Sequence, residues 1–210
     1  MLNAVIDISH HNGVSSFTKV RAAGIFGIIH KATQGAVYVD PTFAPHTKKA
    51  LAAGLKVGAY HFGTAGDAIA QADHLIAVAG SSALLVLDFE GNPQGQDMTL
   101  TEAEDFVHHV KQVTGRYPGL YSGHTLKEAL ANGGITRADQ TELSNCWLWI
   151  AQYATAPLIP KVWDKWTLWQ YTDGAAGSGP YQVNGVGRCD RDTFNGTQDE
   201  LSAFWAANGA

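Results

Sequence analysis

The sequence predicts an α/β fold in the form of a modified, compressed TIM-like (β/α) barrel. Strand-like apolar segments begin near residues 4, 26, 56 and 83, and segments with helical spacing lie between them. This alternation is typical of a parallel sheet. The segment 83–87 is continuously apolar, as expected for a strand that is buried on both faces. We expect about eight strands, with helices mainly around the first five, in a chain shorter than the ~250 residues typical of this architecture.

The first half of the chain contains four predicted strands joined by helices. Gly24 and Gly54 are expected to end two of the helices. Asp40, followed by Pro41, fits a helix N-cap with proline at the first helical position. The predicted strands are 4–9, 26–32, 56–62 and 83–90, and the predicted helices are 14–23, 41–54 and 67–79.

Strands and helices alternate less regularly in the second half of the chain. Two overlapping capping boxes, Thr99 with Glu102 and Thr101 with Glu104, predict a helix that runs to residue 114 and stops at Gly115. The linker 154–165 contains two prolines and is too short for a full helix, so the last strands are expected to depart from simple alternation. The remaining predicted strands are 118–122, 146–153, 166–172 and 188–194, and the remaining helices are 126–131 and 198–207.

Composition narrows the class of protein. The 210 residues, with 45% hydrophobic and 16% charged side chains, are expected to form one globular domain spanning 1–210. The net charge of −5 and the lack of a Lys/Arg cluster argue against nucleic acid or an anionic membrane as partner. No apolar run is long enough for membrane insertion, and the amino terminus has no signal-peptide pattern. We expect a monomer without cofactor or metal, in which Cys146 and Cys189 are unpaired thiols.

Two acids at the end of the fourth predicted strand are the central chemical feature. Side chains on a strand alternate between faces, so Asp88 and Glu90 project the same way and Phe89 the opposite way. In parallel α/β barrels, chemistry is placed at the carboxyl ends of the strands. The alternative is a strand that runs out into a solvated acidic turn. The paired arrangement favours a functional site.

Other predicted strand ends carry acids, amides and aromatic rings. Such a set suits a carbohydrate cleft, because sugars stack on aromatic faces while carboxylates and amides bind hydroxyl groups. Cleavage of a glycosidic bond needs a proton for the leaving oxygen, and a carboxyl group crowded by other acids retains its proton more readily. Glu90, the outermost acid, is the candidate donor. The other expected site residues are Asp7, Lys31, Tyr60, Phe62, Asp88, Tyr121, Trp149, Tyr153, Gln170 and Asp190.

Several blocks along the chain resemble glycoside hydrolase family 25, the lysozymes (N-acetylmuramidases) found as phage endolysins and bacterial autolysins. Two of these blocks are Leu87-Asp88-Phe89-Glu90 and Trp169-Gln170-Tyr171, and the order of all the blocks together makes the match specific. Further blocks lie at 5–9, 29–35, 38–43, 58–62 and 148–153, in the same order along the chain. The resemblance therefore covers nearly the whole chain.

The resemblance implies a modified α/β barrel that cleaves the β-1,4 bond between N-acetylmuramic acid and N-acetylglucosamine in bacterial peptidoglycan. It assigns Glu90 as proton donor, Asp88 as its partner acid, and Asp7 and Asp190 as further acids. It implies retention of configuration, either by carboxylate attack or by the substrate's own N-acetyl group with Asp88 steadying it. The spacing of Asp88 and Glu90 favours the second mode. We expect no separate wall-binding module, and action on the wall after release from the cytoplasm or secretion by another route.

The chain also departs from the family pattern. Asn12-Gly13 stands where Gln-Gly is common, and Gln34 where Glu is usual. Residues 189–192, Cys-Asp-Arg-Asp, replace Val-Asp-x-Asn, which leaves open whether Asp190 or Asp192 faces the site. These departures bear on substrate preference.

The sequence leaves two alternative functions open beside that of a muramidase. Another N-acetylhexosaminidase is the main alternative, but a chitinase motif would need an acid at Val86. A non-catalytic glycan-binding barrel would be expected to lack the acid pair. A turn or sugar contact is favoured over a metal site for His10-His11, and hydrogen-bonded strand positions for His30 and His61.

Overall fold

A computed structural model describes residues 1–209 and shows a closed eight-stranded barrel with helices packed around it. The barrel order is β1-β2-β4-β5-β6-β7-β8-β11, closed by pairing of β11 with β1. The strands are β1 (Leu2–Ile8), β2 (Gly27–Gln34), β3 (Tyr38–Val39), β4 (Lys56–Phe62), β5 (Leu84–Asp88), β6 (Gly119–Ser122), β7 (Trp147–Ala151), β8 (Leu168–Thr172), β9 (Gln182–Val183), β10 (Gly187–Arg188) and β11 (Asp190–Phe194). The helices are α1 (Phe17–Ala22), α2 (Phe43–Ala52), α3 (Ala68–Ala79), α4 (Leu100–Thr114), α5 (His124–Asn132) and α6 (Gln198–Asn208), with short 3₁₀ helices at Ala138–Gln140 and Glu142–Asn145. The predicted fold class is confirmed.

The last barrel strand runs against its neighbours. β11 pairs antiparallel with both β8 and β1, whereas the other barrel pairings are parallel. The connection from β8 carries the β9–β10 hairpin and no crossover helix, and only parallel neighbours require such a helix. Asp190 therefore reaches the barrel mouth from the amino end of its strand, paired with Asp7. The last strand thus presents its amino end to the mouth, whereas the parallel strands present their carboxyl ends.

The alternation of faces along β5 separates two layers of core. Leu84 and Val86 point into the barrel, where they pack with Trp149 and Phe194. Leu85 and Leu87 point outward, against a layer that includes side chains of α3 and α4. A third cluster lies under α1 and α2. Asp88 belongs by this alternation to the interior face, as the sequence predicted.

The amino end of the barrel is closed by aromatic side chains. A Cβ atom at Gly27 would lie 2.4 Å from the Trp205 ring, and one at Gly119 would lie 2.3 Å from the Trp147 ring. Trp205 belongs to α6 and packs with the interior cluster. With this end filled, the open mouth of the barrel lies at the carboxyl ends of the parallel strands.

Helix α4 begins as predicted. Thr99 and Glu102 form a capping box, and the helix ends at Gly115, which has a φ of 77°. The overlapping box at Thr101 does not form, because Glu104 instead accepts hydrogen bonds from Thr141 Oγ1 at 2.6 Å and from the Glu142 amide at 3.1 Å. A contact distant in sequence decides which of the two equivalent local signals is used.

Two other helix starts differ from the prediction. Thr42, not Asp40, is the N-cap residue of α2, and its side chain makes no capping hydrogen bond. Asp40 accepts hydrogen bonds from the Thr42 amide, the Thr42 hydroxyl and the His10 amide. Helix α1 begins at Phe17 rather than near residue 14, since Ser16 accepts a hydrogen bond from the Lys19 amide. β3, the β9–β10 hairpin and the 3₁₀ helices were not predicted. They are too short to produce a periodic pattern.

Two further findings bear on the expected class of protein. Over residues 1–209, no helix is both long and apolar enough to cross a bilayer. Cys146 and Cys189 are buried free thiols.

Candidate active site

A cavity of about 250 Å³ lies in the mouth of the barrel. Its lining joins acids, an amide and aromatic rings, contributed by strands around the barrel and by the segments that follow two of them. The lining residues are Asp7, Tyr60, Asp88, Glu90, Tyr121, Trp149, Tyr153, Gln170 and Asp190. Each of these nine was predicted as a site residue, and the fold brings them to one place.

The backbone after β5 fixes the two central acids. Asp88 is the last residue of β5 and is 4% exposed. Its carbonyl oxygen accepts a hydrogen bond from the Gly63 amide at 2.9 Å, and the Phe89 amide donates to Tyr121 O at 2.9 Å. Phe89 is buried in the outer core, which directs the half-buried Glu90 back over the mouth. Both neighbouring strands thus hold the Asp88–Glu90 segment in place.

An oriented amide connects two tyrosines to Asp7. The hydroxyls of Tyr121 and Tyr153 each donate to Gln170 Oε1 at 2.9 Å. Because Oε1 accepts both hydroxyl protons, the NH₂ group of Gln170 faces the other way and donates to Asp7 Oδ2 at 2.9 Å. Gln170 is 2% exposed. The network therefore presents an N–H donor to a buried carboxylate.

Burial and the negative charges of neighbouring acids favour the protonated forms of the carboxyl groups in the cavity. Burial, and then the charge of Glu90, raise the pKa of Asp88 well above its ordinary value. Burial also raises the pKa of Glu90, against the nearby Lys31 ammonium, which lowers it. The pKa of Asp7 is raised well above its ordinary value by burial and by Asp190, and burial raises the pKa of Asp190 to about 6. A proton is thus held within this cluster at mildly acidic pH.

Lys31 and Phe62 were also predicted as site residues, and they lie in a neighbouring recess. Lys31 Nζ donates to Gln34 Oε1 at 2.7 Å and lies 4.8 Å from the centre of the Phe62 ring. Burial lowers the pKa of Lys31, while the charges of Asp88, Asp40 and Glu90 oppose this shift. Lys31 is therefore the cation that faces the acid pair, outside the central cavity.

The cavity continues into a groove. The recess that contains Lys31 has a volume of about 740 Å³, and its lining also includes His10, His11 and Glu90. A second recess, of about 510 Å³, is lined in part by His124, Lys127 and again Glu90. Glu90 lines the cavity and both recesses. An extended polymer that follows this groove would pass Glu90 at its middle.

Sequence reasoning missed several groove residues. His124 and Lys127 lie on α5, directly after β6, and Asn92 and Gln94 lie in the loop that follows the acid pair. Their positions just after strand ends were the available signal. Asp192, considered as an alternative to Asp190, does not line the cavity and is completely buried beneath it.

His10, His30 and His61, which were not assigned a catalytic role, each lie beside another polar side chain. His10 Nδ1 lies 2.8 Å from Asp40 Oδ2. His30 lies 3.0 Å from His46 and His61 lies 2.8 Å from Thr33, measured between side-chain polar atoms. Burial lowers the pKa of both His30 and His61 to about 4, so both are neutral at neutral pH. No cluster of three or more His, Cys, Asp or Glu residues within 1–209 is arranged to hold a metal ion.

The chain is similar in sequence to glycosyl hydrolases that act as lysozymes or muramidases. The family model described as glycosyl hydrolases family 25 matches residues 6–179. Lysozyme M1 of Streptomyces globisporus is 31% identical over 216 residues, which cover 95% of this chain and 70% of that protein. The N,O-diacetylmuramidase of a Chalaropsis species is 30% identical over 194 residues, which cover 82% of this chain and 89% of that protein.

Solved structures show the same similarity in the fold. The bacterial lysozyme from Streptomyces coelicolor superposes with a TM-score of 0.82 at 29% identity, over 99% of this chain and 98% of that one. A muramidase from Trichobolus zukalii superposes with a TM-score of 0.79 at 29% identity, over 99% of this chain and 100% of that one.

Proposed function

Because the chain belongs to family 25 of the glycosyl hydrolases, as its sequence motifs predicted, we propose that it is a muramidase that cleaves bacterial peptidoglycan. The bond cleaved is the β-1,4 linkage from N-acetylmuramic acid to N-acetylglucosamine. The N,O-diacetylmuramidase and lysozyme names of the relatives support this substrate class.

The observation that carries the proposal is the position of Glu90. It lines the central cavity and both recesses of the groove. A glycan strand laid along the groove would therefore place an internal bond, rather than a chain end, beside this carboxyl group. The groove accordingly favours cleavage within the polymer.

Glu90 and Asp88 would act on different groups of the substrate. Glu90 would protonate the leaving glycosidic oxygen, since its raised pKa keeps the proton available. Asp88 Oδ1 is buried and has no hydrogen-bond partner within the described residues, so it can accept the N–H of a substrate acetamido group. The acetamido oxygen would attack the anomeric carbon, and Glu90 would then deprotonate the incoming water. This sequence retains the configuration.

The other acids and rings would position the sugar. Asp7, oriented by Gln170, and Asp190 would accept substrate hydroxyl groups or stabilise positive charge that develops on the ring. Tyr60, Tyr121, Trp149 and Tyr153 supply aromatic and hydroxyl contacts in the cavity, and Lys31 and Phe62 extend them into the groove. The enzyme would act as a monomeric catalytic domain on the wall, after release from the cytoplasm or after export by another route.

Reducing-end analysis tests the proposal. Purified peptidoglycan is digested, the products are reduced with borohydride, and the reduced sugars are identified by mass spectrometry. Reduced muramic acid is the expected product, whereas reduced glucosamine would mean that the other N-acetylhexosaminide bond is cut. The matched control is Glu90→Gln, which preserves shape and should lose about 10²–10⁴-fold in rate. A Glu90→Gln variant with the wild-type rate would exclude Glu90 as the donor.

A further inference from the structure

The two recesses that extend the cavity each contain a lysine, and the two lysines have different surroundings. Lys31 and Lys127 are the two Lys or Arg side chains among the residues that line the cavity and its recesses. Lys31 donates to Gln34 Oε1 at 2.7 Å, and the carboxyl groups of Asp88 and Glu90 lie near enough to act on its charge. The Lys31 recess therefore already holds negative charge beside its cation.

Among residues 1–209, Lys127 has no acidic partner. It is half-buried on α5 and forms no ion pair there. Its ammonium group donates to Gln152 Oε1 at 3.1 Å, which uses one of its three N–H groups. Gln152 Oε1 also accepts a hydrogen bond from the Leu158 amide at 2.8 Å, which fixes the position of this acceptor. The Lys127 ammonium is thus held in place with N–H groups left to donate to a ligand.

The lining of the second recess contains a further donor and one acid. His124 and Lys127 are three residues apart on α5, so they lie on the same side of the helix, and both line the recess. Among the lining residues Glu90 is the one acid, and burial raises its pKa, which reduces its negative charge at mildly acidic pH. The second recess therefore offers donors for an anion, in a protein whose net charge is −5.

The proposed substrate carries such an anion next to the bond that is cut. Muramic acid has a lactyl substituent, which ends either in a free carboxylate or in a peptide that bears carboxylates. The second recess, of about 510 Å³, has about twice the volume of the cavity, of about 250 Å³, so it has room for a substituent beside the glycan. A carboxylate is repelled from the cavity itself, because the cavity is lined by Asp7, Asp88, Glu90 and Asp190. Charge and volume therefore both direct the substituent out of the cavity and into a recess.

We propose that Lys127, together with His124, binds a carboxylate of the lactyl or peptide substituent of muramic acid. Lys127 is then a specificity-determining residue, which favours glycan strands that carry free carboxylates. The Lys31 recess suits this anion less well, since the nearby acids oppose an added negative charge. The inference rests on the proposed function, because a muramyl substrate is what brings the carboxylate to Glu90.

The variant Lys127→Met tests the inference, because it keeps an unbranched apolar side chain and removes the charge. Cleavage rates are compared on peptidoglycan before and after its carboxyl groups are converted to primary amides. The ratio of the rate on native to that on amidated peptidoglycan should fall about threefold to tenfold in Lys127→Met, and Lys127→Arg should retain the wild-type ratio. A wild-type ratio in Lys127→Met would overturn the proposal.

Lys56→Met is the matched control. Lys56 is exposed at the start of β4, at the end of the barrel opposite the mouth, and its replacement causes the same change in net charge. This variant should have the wild-type ratio. An equal fall in Lys56→Met and Lys127→Met would show that only the net charge of the protein matters, and would overturn the proposal.

A second pair of substrates identifies the source of the carboxylate. In intact peptidoglycan the substituted lactyl groups are amides, so the free carboxylates lie on the peptides. After an amidase has removed the peptides, the free carboxylates lie on the lactyl groups. The preparation whose cleavage Lys127→Met slows more carries the carboxylate that Lys127 binds. If the variant slows cleavage of neither, the proposal is wrong.

A binding measurement separates this inference from the proposed function. Protein with ¹³C-labelled lysine is titrated with N-acetylmuramic acid, with N-acetylmuramyl-L-alanyl-D-isoglutamine, and with N-acetylglucosamine as the ligand without a carboxylate. The Lys127 Cε resonance, identified by its absence from Lys127→Arg, should shift in a saturable way with at least one of the two acids and not with N-acetylglucosamine. No response to either acid would refute the inference even if the protein is a muramidase. A response in a protein that cleaves no peptidoglycan would support the carboxylate site and refute the proposed function alone.

Discussion

Replacement of Gln170 by leucine should lower the free energy of unfolding, because it removes the hydrogen bond that Asp7 accepts from the Gln170 amide. The amide donates to Asp7 Oδ2 at 2.9 Å, and Asp7 is only 7% exposed, so little water can replace it. A hydrogen bond to a charged group contributes about 1.5–3 kcal/mol. We therefore expect the free energy of unfolding at alkaline pH to fall by about 2 kcal/mol. For a chain of this size, that corresponds to a decrease in Tm of about 6 °C.

The pH dependence of this loss identifies its cause. The pKa of Asp7 is raised above its unfolded value, and the Gln170 hydrogen bond opposes that rise. The defect should therefore be largest when Asp7 is ionised and should shrink as the pH falls and the carboxyl becomes protonated. Urea unfolding of wild type and Gln170→Leu at acidic and alkaline pH measures the difference. An equal loss at both would refute the hydrogen bond as its source.

Tyr153→Phe provides the control for Gln170→Leu. It removes one of the two hydroxyls that orient the amide, but Tyr121 still donates to Gln170 Oε1. Tyr153 is 41% exposed, so solvent can compensate. The variant should remain within about 1 kcal/mol of wild type. A larger loss than that of Gln170→Leu would mean that tyrosine packing, rather than the amide, supports this side of the cavity.

Two further substitutions test other parts of the site. Asp88→Asn should fold normally and lose at least about a hundredfold in peptidoglycan cleavage rate, and Asp7→Asn should lose less. Near-wild-type activity of Asp88→Asn in a reducing-sugar assay would argue against the role of Asp88. Asp40→Asn should lower the free energy of unfolding by about 1–3 kcal/mol at neutral pH, because Asp40 accepts hydrogen bonds from His10 and Thr42. The pKa of Asp40 is lowered to about 2, so its stabilisation is present above about pH 4 and should disappear as the pH falls through about 2. A urea-unfolding difference that persists at the lowest pH would contradict this assignment.

Local pattern was sufficient to predict the strands and much of the cavity lining. The alternation in β5 places Asp88 on the same face as Leu84 and Val86, and this follows from the strand period alone. Tyr121, Trp149 and Gln170 could be predicted because each lies near the end of a recognisable strand.

Features set by distant contacts could not be predicted. The direction of β11 is not encoded in its five residues, since an antiparallel strand has the same alternation as a parallel one. Asp40 accepts a hydrogen bond from the amide of His10, thirty residues earlier in sequence, and no local pattern predicts this contact. The deep burial of Asp192 requires β1 and β8 on either side of its strand and the Trp149 ring of β7 as its hydrogen-bond partner.

The roles proposed for Glu90 and Asp88 are tested most directly by the stereochemistry of the first product. Proton NMR can follow the anomeric signals of the new muramic acid reducing end during digestion of a soluble glycan strand, before mutarotation. Participation of the acetamido group predicts that the β-anomer appears first and the α-anomer grows later. Initial formation of the α-anomer would mean direct inversion by water, and would contradict the role assigned to Asp88.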